Sequence, residues 1–254
     1  MFALTCHPVR SVSVRHERKV LMTTLATFAR SSVGKKVLVA ITGLMLFSFV
    51  IVHLLGNLTL FIPDGGKAFN HYTHFLEGLM HGWFIYVAEV GLIAAFLVHA
   101  IYAITVALID KQKARSQKYA MVRNAGGPSR KSLASRSMII TGPIILIFVI
   151  LHVNMFKFAD HPQTVIDGEP MKDLYTVVDQ AFMNPWIVIG YVAVMILLGM
   201  HLWHGVWSAF QSMGWNSDRH ITFLTRFSWI AGFLLGLGFL VLPIYMYFTS
   251  PGGH

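Results

Sequence analysis

The sequence predicts an all-α membrane protein with five transmembrane helices, and two properties of the chain carry that prediction. Hydrophobic residues make up 55% of it, charged residues only 12%, and the mean hydropathy is +0.61. An ordinary soluble domain carries about twice that charge. The apolar residues are also gathered into five runs, roughly 37–62, 83–109, 137–158, 185–210 and 226–248. Each is long enough for the ~20 residues that a helix needs to cross a bilayer core of ~30 Å.

Taken in order, the chain starts with a basic stretch. Residues 1–36 carry seven Lys/Arg against one acid, Glu17, with no long apolar run and no small-residue cleavage site. A secretory signal is therefore not expected. The Arg/Ser-rich character resembles a transit peptide, but a mobile tail, or a true start at Met22, is the preferred reading. Residues 1–30 are expected to form a basic extension and residues 31–254 the membrane domain. Pro63-Asp64-Gly65-Gly66 closes the first run, and Gly126-Gly127-Pro128-Ser129 precedes the third; both are turn signals. Asn184-Pro185 opens the fourth as a helix start with Pro in the first turn.

Lysine and arginine set the orientation. There are seven in 1–36, eight in 110–136 and two in 211–226, against one in 63–82, two in 157–184 and none after 248. Seventeen of the 20 thus lie on one side, which the positive-inside rule makes cytoplasmic (or matrix-facing). The N-terminus is expected there and the C-terminus outside. The net charge of +9 is then a topology signature and a docking surface for an acidic partner, not a nucleic-acid footprint.

A single cysteine, Cys6, excludes a disulfide framework, a cysteine-held iron–sulfur cluster and a Cys-x-x-Cys-His haem site. Metal chemistry would rest on histidine. His53, His99, His152 and His201 fall one to each of the first four runs, about 14–16 residues into each, or ~21–24 Å from the face where it starts. Because the helices alternate in direction, His53 and His152 fall in the outer half and His99 and His201 in the inner half. Two layers on the order of 15 Å apart result. Two imidazoles at one depth on facing helices can hold one haem iron axially, so two layers suit two haems. A lone histidine in a membrane helix is as readily interhelical glue; four, paired by depth, are not well explained that way. Zinc is disfavoured, since two layers so far apart cannot form one tetrahedral site.

The outer pair lies in a repeat. Residues 41–53 (Ile-Thr-Gly-Leu-Met-Leu-Phe-Ser-Phe-Val-Ile-Val-His) and 140–152 (Ile-Thr-Gly-Pro-Ile-Ile-Leu-Ile-Phe-Val-Ile-Leu-His) share seven of thirteen positions at an offset of 99. Gly43 and Gly142 stand ten residues before their histidines, ~15 Å inward, at the expected depth of the inner haem. Gly91 and Gly190 fall near the outer one. His204 lies one turn past His201 on a similar face. Periodicity alone does not choose between them; depth symmetry favours His201 and leaves His204 for a haem propionate or a quinone.

Several stretches resemble the diheme cytochrome b membrane subunit of the succinate:quinone and quinol:fumarate oxidoreductases. They are Ser31-Ser32-Val33-Gly34-Lys35-Lys36, His53-Leu54-Leu55-Gly56-Asn57, His99-Ala100, Ser135-Arg136-Ser137-Met138 and, most specific, His201-Leu202-Trp203-His204-Gly205-Val206-Trp207-Ser208-Ala209-Phe210-Gln211. The resemblance runs from about Ser31 to the end. It implies a haem-binding bundle of the first four helices, with His53, His99, His152 and His201 as axial ligands of two b haems. It also implies a flavoprotein with FAD and an iron–sulfur subunit docked on the cytoplasmic face, electron exchange with a quinone, often menaquinone, and a bacterial cytoplasmic membrane. The chain itself would do no succinate chemistry. A diheme anchor of a hydrogenase or formate dehydrogenase would differ in partner. A haem-free transporter or scaffold would use the histidines for packing. The oligomeric state stays open.

Glu89, inside the second run, is a candidate proton acceptor or donor for quinone chemistry, or a carboxyl bonded to a neighbouring helix. Arg136, Ser31, Ser32 and Lys36 at the inner interface could hold haem propionates, although inside-positive anchoring explains each singly. His71, Tyr72, His74, Glu77 and His81 are expected on a solvated outer loop, with a quinone site as the alternative. The six tryptophans mostly mark helix ends, as an aromatic belt would.

Overall fold

The computed structural model describes residues 25–110, 133–215 and 217–250. The turn expected at Gly126–Ser129 and the first 24 residues of the extension lie outside those limits. Leu25–Arg30 forms a short helix, α1, against the start of the first long one, so the described regular structure includes six residues before the expected boundary at Ser31.

Five helices are long and apolar enough to cross a membrane. They are α2 (Ser32–Asn57), α4 (Trp83–Ile104), α5 (Leu133–Phe156), α7 (Pro185–Ser212) and α8 (Asp218–Thr249). All five expected spans are present. Most start earlier than the apolar runs because polar first turns complete the helices. Ser31 caps α2, its Oγ accepting from Gly34 N at 2.9 Å. Asn184 caps α7 with Pro185 in the first turn. A side-chain cap satisfies N–H groups that the helix leaves unpaired.

The helices α2, α4, α7 and α5 form a ring with strong contacts between α2 and α4, α2 and α7, and α5 and α7. The α4/α5 seam is sparsely packed, and α8 lies outside, chiefly on α7. The α7–α8 fit depends on glycine. A Cβ at Gly199 would stand 3.0 Å from Gly232 O, and one at Gly232 would stand 2.7 Å from both Gly199 O and Trp203 N. Bare backbone lets two membrane helices approach this closely. One apolar core, Phe47, Leu202, Val206 and Leu235, joins α2, α7 and α8 at mid-depth.

Both long connections at one end fold into a cap. It consists of α3 (Lys67–Gly78), an antiparallel hairpin of β1 (Gln163–Ile166) and β2 (Glu169–Lys172), and α6 (Leu174–Phe182). Asn70, 2% exposed, is its fastener. Its amide nitrogen donates to Asp173 Oδ1 at 2.9 Å, and its oxygen accepts from Tyr175 N at 3.0 Å. A second core, with Leu60, Phe69, Val178, Phe182, Leu242 and Met246, fills the space beneath. The passage from α3 to α4 turns through Met80 and His81, at φ +52° and +55°, a left-handed pair that costs roughly 1–2 kcal/mol per residue. Below, this end is called the capped end and the opposite one the basic end.

The solvated outer loop expected at 63–82 is thus a folded helix. Tyr72 packs over Gly56, His71 pairs with Asp167 at 3.1 Å and Glu77 with Lys172 at 2.9 Å, while His74 and His81 are exposed. The hairpin was readable in advance, because Asp167-Gly168 between two short strands is a tight-turn signal, with φ +54° and +86°.

Gly232→Val should force α7 and α8 apart, costing at least the ~1–3 kcal/mol typical of overpacking. Thermal unfolding in detergent should show a clearly lower midpoint. Gly205→Ala, whose added Cβ meets nothing within 4 Å, should match wild type. Equal midpoints for all three proteins would refute the close-approach reading.

Candidate functional site

The ring of four helices brings its histidines together in two pairs. His53 of α2 and His152 of α5 stand with ring centroids 5.8 Å apart and planes at 88°. His99 of α4 and His201 of α7 stand 6.4 Å apart at 66°. These are the pairings expected from depth. Their separation in depth follows from Gly43, whose added Cβ would stand 3.0 Å from His99 Cε1. Gly43 is ten residues before His53, so the two pairs lie ~15 Å apart along the bundle. On α5, Gly142 stands in the same relation to His201, its added Cβ 3.9 Å from Cε1. An added Cβ at Gly91 or Gly190 meets nothing within 4 Å. These two glycines therefore border open space, and unlike Gly43 they make no close approach to a histidine ring.

The repeated phrase explains its own identities. Phe49 stacks on His53 at 5.3 Å and Phe148 on His152 at 5.5 Å, each one turn before its histidine. Thr42 and Thr141, both buried, sit level with the basic-end pair. Thr141 Oγ1 is 3.2 Å from His201 Nδ1. Thr42 instead donates to Leu38 O at 2.7 Å, and His99 Nδ1 bonds Val39 O at 3.1 Å. Phe239 of α8 adds a second ring on His53 at 5.7 Å.

Among the described residues, every hydrogen bond these four imidazoles make uses Nδ1. A carbonyl only accepts, so His99 Nδ1 carries the proton and Nε2 keeps its lone pair. Thr141 Oγ1 can accept from His201 Nδ1 in the same way. His152 Nδ1 lies 3.1 Å from Tyr191 Oη. His53 is the exception. Its Nδ1 faces the Asn57 amide nitrogen at 3.4 Å, and that nitrogen's better bond is to His53 O at 2.7 Å.

Two imidazoles bound to one metal through nitrogens about 2 Å away have ring centroids roughly 6 Å apart. Both pairs match that spacing. Among the described residues no three His, Cys, Asp or Glu side chains converge. The donor set therefore suits two axial pairs, as a haem needs, and not a protein-only tetrahedral site. His201 faces His99, whereas His204 makes no ring contact with another histidine among the described residues.

The remaining candidates scatter. Glu89 forms an ion pair with Lys157, just past the end of α5, bridging the sparse α4/α5 seam near the capped end. It is a partnered acid and not an isolated one. Ser31, Lys36 and Arg136 are exposed at the basic end, with no hydrogen bond among them. The Ser31 hydroxyl is committed to the α2 cap and donates to Phe28 O at 2.7 Å. Trp83, Trp186 and Trp215 are exposed at helix ends, whereas Trp207 is buried. Trp203 lines a groove of about 410 Å³ with Thr222, Thr225, Arg226 and Trp229.

Sequence reasoning missed Val39, Thr141, Tyr191 and Lys157. Thr141 was visible as a repeat identity. Tyr191 was within reach of depth arithmetic, since it stands ten residues before His201 and so at the level of the other pair.

A scan against protein-family models finds no match to this chain, and neither curated proteins nor solved structures give a significant match. What the chain does is argued from its own residues.

The cap carries a pH dependence. Burial raises the Asp173 carboxyl, but hydrogen bonds from the Thr176 hydroxyl, the Asn70 amide and Thr176 N–H outweigh it and hold the group below its usual 3.8. A depressed folded value means that the stabilisation is present above the unfolded value and lost as pH falls through the folded one. Protection of Tyr175 and Thr176 amides, corrected for intrinsic exchange, should hold down to about pH 4 and collapse below it. Asp173→Asn should lack that acid transition; retaining it would contradict the assignment.

Proposed function

We propose that this chain is the membrane anchor of a quinone-linked oxidoreductase, carrying electrons across the bundle over two b haems. The observation that carries the reading is the two histidine pairs at haem-ligand spacing, one above the other, in four helices with apolar outer faces. His53 and His152 hold the capped-end group, and His99 and His201 the basic-end one. Bound there, each haem supplies one-electron chemistry. The protein presents neutral imidazoles, offers acceptors to Nδ1 of His99, His152 and His201, and surrounds the capped-end pair with Phe49, Phe148, Phe156 and Phe239. Gly43 and Gly142 leave backbone bare beside the basic-end rings.

The motif resemblance narrows the proposal to the succinate:quinone and quinol:fumarate oxidoreductases. A flavoprotein with FAD and an iron–sulfur subunit would dock at the basic end, which the charge distribution makes cytoplasmic in a bacterial inner membrane. The capped end would then face outward. Glu89, paired with Lys157 at that end, is the proposed proton-exchanging group for a quinone, with menaquinone the first to test.

Reduced-minus-oxidised spectra with haem quantitation test the reading. Wild type should hold two haems per chain. His53→Ala, His99→Ala, His152→Ala and His201→Ala should each lose one, whereas His204→Ala should keep both. Gly43→Leu should disturb the basic-end haem by displacing His99. Full haem retention in all four ligand variants would sink the proposal. Co-purification of a flavoprotein, as against a hydrogenase or formate dehydrogenase, distinguishes the possible partners.

A further inference from the structure

Ligation alone does not account for Tyr191. Its ring, on α7, packs among Phe148, His152, Phe156 and Phe182, with centroids 4.9, 6.1, 6.3 and 5.1 Å away. A phenylalanine would pack there equally well, and a hydroxyl in such surroundings is costly unless it is bonded. The oxygen has two partners. It donates to Met155 Sδ at 3.8 Å and stands 3.1 Å from His152 Nδ1. A phenol has one proton. The 3.1 Å contact admits either direction; in the two-haem reading Nε2 is the donor to iron, so Nδ1 carries the proton, the phenol oxygen accepts it, and the phenol's own proton goes to sulfur. His53, the other member of the pair, has no comparable acceptor, since its Nδ1 faces an amide nitrogen. At the basic end the acceptors are Val39 O and Thr141 Oγ1.

We infer that Tyr191 is a positioning residue that sets the electronic character of the capped-end ligand pair and so tunes the potential of the haem held there, independently of the other. The inference rests on the two-haem reading. An acceptor on Nδ1–H makes the opposite nitrogen a stronger donor to iron. Stronger donation favours the ferric state and lowers the potential. Tyr191 does this at the capped end only; Thr141 does the corresponding work for His201. The two side chains therefore act on different haems of one protein.

The test is a potentiometric titration of the full-length protein in native membranes, followed by its reduced-minus-oxidised spectrum. Tyr191→Phe removes one oxygen and keeps the ring. It should retain two haems, with one component moved to higher potential and the other unmoved. Thr141→Val should move the other component. Two haems with no shift in Y191F, a shift to lower potential, or the same component moved by both variants would overturn the inference. If Y191F holds only one haem, Tyr191→Gln decides, because it returns an acceptor without the ring. Return of the second haem supports the role, and its continued absence overturns it. A wild type without haem overturns the proposed function and this inference together. An unshifted Y191F beside a two-haem wild type overturns this inference alone.

Discussion

An imidazole inside a membrane has two nitrogens to satisfy and no water to do it. The arrangement of α2, α4, α5 and α7 follows from how that constraint is met four times. In each ring Nδ1 is turned to a neighbour, by the main chain for His99, by hydroxyls for His152 and His201, and loosely by an amide for His53. The rings meet in pairs, His53 with His152 and His99 with His201. Unmet polar groups in hydrocarbon cost several kcal/mol each. In the proposed function, an iron between the two rings of each pair would take the nitrogen that these bonds do not use.

The repeat shows how one phrase serves both levels at once. Within each copy the phenylalanine stacks on the copy's own histidine near the capped end. Ten residues away, its glycine makes room beside the histidine of the next helix near the basic end. The copies diverge where their neighbours differ. Thr141 reaches His201, whereas Thr42 turns back to its own helix and leaves Val39 O to hold His99. The α2/α4 and α5/α7 pairs are thus alike in plan and unlike in detail, and the unlikeness falls on the atoms that tune a ligand.

The five spans were legible because ~20 apolar residues in a row have few other uses. The histidine pairing was legible because helix rise converts sequence position into depth. What depth cannot give is azimuth. Depth placed Gly43 at the level of His99, and only the folded chain shows it turned to that ring, while Gly91 and Gly190 border open space. The cap was missed for another reason. It is held by contacts between segments about a hundred residues apart, Asn70 with Asp173 and His71 with Asp167, and no local pattern announces such contacts. Glu89 shows the same limit: its lysine partner sits just past the end of a different helix.

The most direct test is whether the histidines act as two independent pairs. Haem per chain should be measured in two double variants, His53→Ala with His152→Ala and His53→Ala with His99→Ala. If each pair holds one iron, the first double variant should lose no more than either of its single variants, leaving one haem per chain. The second should leave none. Equal haem content in the two double variants would contradict the pairing on which the proposed function depends.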